Sequence, residues 1–581
     1  MYKLFLCLRY LRSKAFAYFG MLCVALSVCL MLISVSVFTG FLNKIEKAAK
    51  GLFGDIVIEP YGERGLAHYD EFIAEITKIP DVEAADPFIL GLGVLSVEGD
   101  SHYRQTVQIA GIRLPSRARV TDFEEGLFVQ EGTANPTFDV PLNEAVARLE
   151  VYQKFLRAIV EREFAAELAT LTPERRQACF QSGILMEHYL TRDEQSAGKR
   201  QLLRRLSSAY RNLDEAKTRL EQAQLRAGEL AALRDELAQA KQRGATADEQ
   251  LDLKEKIEDI TDAVRIHPAG NRVILGLGIP GLTFRTDKGE TIRYLMPGHN
   301  IFLYVVPLGR RFTSEGIQPN IGKFTIIDDN LSGVHSIDSK MVYIPFDTLQ
   351  TLNNMYEEVS PDDPSKVVEP KRCSQIHVKV RGENLTEPDL RRTAAKIQEL
   401  WGDFLKRHPD AAVSDVGIET WRQRQQQVVE PLEKQRTLVI IVIAVIWVVV
   451  VVLIFVIFYT IVTQKTREIG VLKAVGASGW GVAGVFLGYG AVVGLIGSVV
   501  GTLGGWVFVK NINAIQDWVA DVFGYRVWSR DQFMFDLIPN EVDWNAAIFI
   551  LASSILAGLL GALLPAIRAA RMQPVEALRY E

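Results

Sequence analysis

The sequence predicts an α-helical membrane protein with four transmembrane helices and a large extracytoplasmic α+β domain, which carries an inserted helical, coiled-coil hairpin. Three observations predict it. Charge is absent from four long stretches. Lys and Arg gather beside those stretches on one side. Between the first and second stretch, apolar residues alternate as in strands, then recur every seven residues, then alternate again.

The spans come from the gaps in charge. No charged residue lies between Lys14 and Lys44, Arg436 and Lys465, Lys473 and Lys510, or Asp543 and Arg568. Each gap exceeds the ~20 apolar residues that a spanning helix needs. Lys3, Arg9, Arg12 and Lys14 precede the first span; Lys465, Arg467 and Lys473 separate the second and third; Arg568, Arg571 and Arg579 follow the fourth. The positive-inside rule puts these segments, and so both termini, in the cytoplasm. The first apolar run is too long for a signal peptide and no small-residue cleavage site closes it, so it reads as an uncleaved anchor.

The chain then divides as follows: cytoplasmic N-terminus 1–14, first span 15–43, first half of the α+β domain 44–141, helical insertion 142–265, second half 266–419, stalk helix 420–436, second span 437–463, cytoplasmic helix 464–478, third span 479–509, extracytoplasmic loop 510–544, fourth span 545–567 and cytoplasmic tail 568–581. Alternation marks strands in "DIVIEP", "RQTVQIAGI", "KFTIIDD" and "SQIHVKVRG", while Phe72, Ile73, Ile76 and Ile79 have helical spacing. In the insertion, Leu206, Leu213 and Leu220 and the offset series Ala209, Ala216, Ala223, Leu230 and Leu237 form an a/d seam, which Arg234 breaks. "RGATAD" supplies a turn, and Leu253, Ile257, Ile260 and Val264 return. Periodicity does not separate a single-chain hairpin from an intermolecular coil, nor a docking arm for a periplasmic protein from a solvated insertion.

Composition removes other classes. The 581 residues include 65 basic and 70 acidic ones, a net charge of −5. That excludes a polybasic nucleic-acid binder. A charged fraction of 23% with 9% aromatics excludes wholesale disorder. The phosphate-loop-like "GIQPNIGK" has the wrong spacing and no Ser or Thr after Lys323. No catalytic residue and no metal ligand is assigned, since metalloprotease, paired-Cys and nucleophile-elbow motifs are absent. Outside the first span and its approach only Cys179 and Cys373 occur, and spacing leaves open whether they are bonded. The spans lack Asp, Glu, Lys and Arg, which argues against ion-coupled transport through them.

Three segments remain. Gly484, Gly488, Gly490, Gly494, Gly497, Gly501 and Gly505 give the third span repeated G-x-x-x-G pairs, suited to a dimer or moving-helix interface or to packing inside one chain. In "TQKTREIGVLKAVGAS", Ile469, Leu472 and Val475 recur at helical spacing opposite Arg467, Glu468 and Lys473; Gly476 suits the end of that helix and Ser478 the cap of the next. The third is the tail, "PAIRAARMQPVEALRYE".

These segments resemble the FtsX/MacB-like ABC transporter permease family. "KTREIGVLKAVGAS" is similar to its cytoplasmic motif and "LPAIRAARMQPVEALRYE" to its C-terminal signature. "LRYLRSKAFAYFGMLCVALSVCLMLISVSVFTGF", "DIVIEP", "VQIAGI" and "ETWRQRQQQVVEPLEKQR" extend the likeness toward the lipoprotein-releasing LolC/LolE branch. The resemblance implies a MacB-like periplasmic core in the α+β domain and a location in the bacterial inner membrane. It implies a dimer with a second copy or paralogue, contact with membrane lipids, and a separate cytoplasmic ABC ATPase that holds ATP and Mg; this chain would hold no cofactor and be no enzyme. Lys465, Arg467, Glu468, Ile469, Leu472, Lys473, Gly476, Ala477 and Ser478 would couple to that ATPase. Pro565, Arg568, Arg571, Pro574, Ala577 and Leu578 would form the C-terminal motif. A stalk from Thr420 through the second span, roughly 65 Å long, would transmit force, with Pro431 as a kink point. The implied function is lipoprotein release or transport; the alternatives are a MacB-like exporter of a periplasmic substrate and an FtsX-like subunit that activates an extracytoplasmic enzyme.

Overall fold

The structure is a computed structural model. It describes residues 15–579 except 63, 134, 193–194, 244–245, 247–249, 258–270, 287–289, 308–317, 361–366, 383–384, 413 and 524–536. The N-terminal segment 1–14, Ile260 and Val264 of the insertion, and part of the 510–544 loop therefore lie outside the described residues. The chain forms two compact units, Met1–Lys47 with Gln425–Glu581, and Ala48–Arg424.

The first unit is helical. Helices Ala15–Phe53, Gln426–Gln464, Gly479–Lys510 and Trp544–Arg571 contain the apolar runs. All four are long and apolar enough to cross a membrane, with mean hydropathy between 2.0 and 3.8 over their best windows. The third packs along the fourth, and the second also lies on the fourth. The Trp447 indole donates to the Ser553 carbonyl (3.2 Å), and Phe458 meets Tyr489 edge-on at 5.1 Å.

Two sequence boundaries need correction here. The stalk does not begin at Thr420. That residue ends the strand Val416–Thr420, where it is paired with Ile56 and fully buried. Sheet pairing claims its backbone, Trp421–Arg424 makes one helical turn, and the long helix starts at Gln426. It runs through Pro431 to Gln464, about 58 Å at 1.5 Å per residue. Second, the 510–544 segment contains a helix, Ile512–Phe523, because Ile512, Ile515, Val519 and Val522 repeat at 3-4-3 spacing. The Asn513 side chain ties the following segment back, donating to the Ile538 carbonyl (3.0 Å) and accepting from its N–H (2.9 Å).

The second unit is built on a nine-stranded sheet. Its order is Val416–Thr420, Ile56–Pro60, Gln375–Val380, Val82–Val97, Asp100–Ile112, Met341–Pro345, Arg272–Gly276, Asn320–Asn330, Asn300–Val306. Strand Val82–Val97 is long enough to serve twice. Its first half pairs with Gln375–Val380, and its second half with Asn300–Val306. The last six strands therefore close into a ring. Gly93 stands in that seam, where a Cβ would lie 2.5 Å from the Tyr304 carbonyl oxygen. Leu95, Ile109, Leu303, Phe324 and Val342 are among the residues that fill the core at 1% exposure or less.

The helical insertion leaves this ring after Ile112 and re-enters it at Arg272. It comprises Leu142–Glu163, three short helices and the long helix Ala197–Gln242. The heptad seam is buried, but differently from a plain two-stranded hairpin. Leu206, Ala209, Leu213, Ala216 and Leu220 share one core with Leu149, Tyr152, Leu156 and Val160 of the preceding helix. Residues 250–257 are helical, and Lys256 is within electrostatic reach of Glu236. Arg234, the break in the heptads, is exposed. Arg293 fixes the insertion to the ring: its guanidinium clasps Asp329 (2.6 and 3.1 Å) and lies over Phe128, while its N–H donates to the Tyr152 hydroxyl (2.7 Å). Cys179 and Cys373 are both buried and free.

One buried polar cluster stands out beside the sheet. Arg117 is 1% exposed; it donates to His377 Nδ1 (2.6 Å) and to the Leu52 carbonyl. Burial and the neighbouring guanidinium keep His377 neutral, well below the usual imidazole range. Asp86 accepts from Ser116, while its other oxygen is buried without a hydrogen bond. Burial outweighs the pull of Arg117 and raises the Asp86 carboxyl from 3.8 to about 6. The folded chain thus holds a proton there that the unfolded chain releases. The stability from that proton is complete below the unfolded value and is lost as pH rises through about 6. Asp86→Asn should accordingly gain on the wild type by up to about 3 kcal/mol between about pH 4 and pH 7. Paired denaturation curves at the two pH values check this; a difference independent of pH would refute it.

Candidate functional site

The two cytoplasmic-type motifs lie about a hundred residues apart in the chain and meet in the fold. Helix Thr466–Ala474 packs against the terminal helix Pro574–Arg579. Ile469 is 2% exposed and Ala577 3%. Lys473 donates to the carbonyls of Ala570 (2.7 Å) and Met572 (2.6 Å) at the end of the fourth long helix. Helix C-termini leave carbonyls unsatisfied and carry partial negative charge, so an ammonium is doubly suited there. The sequence pattern put Lys473 on the polar outer side; its actual partners are these carbonyls. Val475, which the pattern put on the apolar inner side, is 85% exposed. The helix ends at Ala474, and Gly476 turns the chain with φ 107°.

The remaining predicted residues fall around this contact. Lys465 pairs with Glu468, whose side chain is half exposed, and Arg467 is exposed. Leu472 and Ala477 are half-buried. Ser478 caps the third long helix, its hydroxyl accepting from the Gly481 N–H (3.1 Å). Arg568 donates to the Tyr459 hydroxyl and lies 4.6 Å from that ring's centre, which joins the fourth long helix to the second. Pro565 is buried inside its helix, Arg571 ends it, and Pro574 and Leu578 lie in the terminal helix. Three exposed apolar side chains join Val475 on these segments: Val471, Trp480 (86%) and Val575 (76%). Helical periodicity misses Val475 and Trp480 because they flank a turn, where the period does not apply.

The glycines of the third helix bring backbones together inside this chain. A Cβ on Gly490 would lie 2.6 Å from Ala562 Cβ, and one on Gly494 3.2 Å from the Ile555 Cα. On the other face, Gly497 meets Val24, Gly501 the Ala25 carbonyl, and Gly505 Leu32. The row therefore packs the third helix against both the fourth and the first. Gly488 is half-buried and Gly484 exposed, so the N-terminal end of the row is the more open.

Residues 440–574 match the family model described as FtsX-like permease C-terminal. The chain carries an FtsX-like permease domain. The Thr466–Ala474 motif, the glycine row and the Lys473 clamp lie within this domain, and the C-terminal motif begins in it at Pro565 and runs on past its end at residue 574. Among curated relatives, the chain is similar to the lipoprotein-releasing system transmembrane protein LolC of Neisseria meningitidis, 22% identical over 309 residues, or 53% of this chain and 65% of the relative. LolE of Haemophilus influenzae is 27% identical over 117 residues, 20% of this chain and 28% of the relative. The uncharacterized ABC transporter permease YknZ of Bacillus subtilis is 32% identical over 120 residues, 21% and 25% of the two chains. The chain thus spans less than two thirds of the length of these relatives. The alignment to the Neisseria LolC, at 309 residues, extends well beyond the permease domain.

The packing inside the permease domain makes a specific demand on Gly501. Gly501→Leu forces a side chain into the Ala25 carbonyl, which cannot yield without moving the first helix. It should cost at least about 2 kcal/mol. Gly484→Ala, on the open end, should cost nothing. Detergent-unfolding curves of the purified chain distinguish the two; equal losses would mean that the glycine row has no packing role.

Proposed function

We propose that the chain is the permease subunit of an ABC transporter that releases lipoproteins from the bacterial inner membrane, with ATP and Mg held by a separate cytoplasmic ATPase. The observation that carries the substrate class is the LolC alignment outside the permease domain. The second unit supplies the extracytoplasmic surface that meets cargo, and its helical insertion is an arm set on that surface. Both termini lie in the cytoplasm.

The surface around Thr466–Ala474 would be the seat of the ATPase. Its inner side is fixed by Ile469 and Lys473, so a push there moves the end of the fourth helix with it. Its outer side offers Arg467, Glu468, Val471, Val475 and Trp480, an apolar centre with charges beside it, as docking interfaces do. Movement would pass to the second unit through the two chain connections, at Lys47–Ala48 and Arg424–Gln425. The second long helix is the least covered by its own chain, with 17% of its apolar window buried against 39% for the third and fourth. Lipid and a second permease copy would share that surface.

Replacing Val475 with Asp, together with Arg467→Ala and Glu468→Ala, alters only exposed side chains. The variant should insert normally and lose at least about tenfold in capture of the ATPase from native membranes, since interface centres dominate binding. ATP-driven release of a radiolabelled lipoprotein from proteoliposomes should fall in parallel. Unchanged ATPase capture would sink the docking assignment. Normal capture with no lipoprotein release by the wild type would sink the substrate class and favour an exporter or an enzyme-activating subunit.

A further inference from the structure

The sequence offers no recognisable metal motif, yet the fold of the second unit brings two imidazoles and two carboxylates together from opposite ends of the unit. His68 stands just before helix Tyr69–Ile76, with Glu71 one turn along it. His408 follows helix Glu387–Arg407, with Asp410 two residues on. His408 Nε2 is 3.4 Å from a Glu71 oxygen, and His68 Nδ1 is 4.0 Å from the other. One ligand atom from each of His68, Glu71 and His408 lies within 4.8 Å of the others. The two rings face each other at 4.8 Å between centres.

The geometry points to a site for a zinc-class divalent transition metal ion, held by His68 Nδ1, the Glu71 carboxylate and His408 Nε2. Metal bonds of about 2.0–2.2 Å in a tetrahedron put ligand atoms roughly 3.4 Å apart. Of the three separations, His408–Glu71 already has that value, His68–Glu71 closes by a small rotation of Glu71, whose side chain is 62% exposed, and His68–His408, within 4.8 Å, closes by a small turn of the imidazoles. Two imidazoles and a carboxylate form a borderline-soft set that selects zinc, cobalt or nickel over calcium or magnesium. Three protein ligands leave a fourth position to water.

Two further features support the assignment. Asp410 sits 3.1 Å from His68 Nε2, on the ring nitrogen opposite the one facing Glu71. A carboxylate there fixes the tautomer that presents Nδ1 with its lone pair, which is the usual support behind a ligating imidazole. The scaffold is also rigid. The Ala67 N–H donates to the Ala411 carbonyl (2.7 Å), Phe72 packs on Trp401 and Phe404 (both 4.9 Å), Arg407 clasps Glu75 (2.7 and 2.6 Å), and the His408 ring stacks on Phe404 at 4.6 Å. A metal would therefore staple the start of helix Tyr69–Ile76 to the end of helix Glu387–Arg407.

Equilibrium dialysis of the detergent-purified full chain against Zn²⁺, with Co²⁺ absorption as the report on geometry, tests this. The expected result is one Zn²⁺ per chain and tetrahedral-type Co²⁺ bands. Glu71→Gln and His408→Gln should each weaken binding at least tenfold, and Asp410→Asn by about tenfold. His188→Gln, an exposed position on helix Gly183–Leu190, should leave it unchanged. Glu71 is exposed, so its variant keeps the fold and decides the matter if the His408 variant does not. Substoichiometric Zn²⁺, or binding that survives both Glu71→Gln and His408→Gln, overturns the site and leaves a hydrogen-bonded surface cluster. Either result is read without reference to transport.

Discussion

Backbone-to-backbone contact along the third long helix is the constraint on which the permease domain depends. In lipid, helices gain nothing from hiding apolar side chains, so association rests on close packing and hydrogen bonds. Gly490 and Gly494 let the fourth helix approach on one face, and Gly497, Gly501 and Gly505 let the first approach on the other. Gly479 continues the approach at the helix start, where a Cβ would lie 2.8 Å from the Ala570 carbonyl. That approach places the end of the fourth helix beside the turn that follows Thr466–Ala474. Lys473 can then reach two carbonyls that would otherwise lack partners. The surface formed by Thr466–Ala474 and the end of the fourth helix is thus a consequence of glycines deep in the bundle.

The second unit follows a different logic, since its backbone groups must be satisfied by a sheet. One long strand pairs on both sides along its second half, and six strands close into a ring. Closure removes exposed edges there. The large insertion leaves from Asp100–Ile112 and returns at Arg272–Gly276, the two strands that flank Met341–Pro345 in the ring. The insertion brings its own core, and Arg293 with Asp329 anchors it. Burying Arg117 and Asp86 in the same unit is costly, and their pairing with His377 and Ser116 offsets only part of that.

The sequence alone determined what depends on local pattern. The four apolar helices were legible because a helix in lipid must be long and uncharged whatever its neighbours. Strands such as Ile56–Pro60 and Gln375–Val380 were legible from alternation. The motifs at 463–478 and 565–581 were legible as residue strings. Tertiary structure decided everything that joins distant segments. It turned the heptad seam toward Leu142–Glu163, gave Thr420 to a strand, drew Lys473 inward, exposed Val475, and set His68 beside His408. The reason is physical. Periodicity states which face of an element is apolar, whereas the partner of that face, and of each charge at its edge, is chosen by contacts between residues tens to hundreds of positions apart.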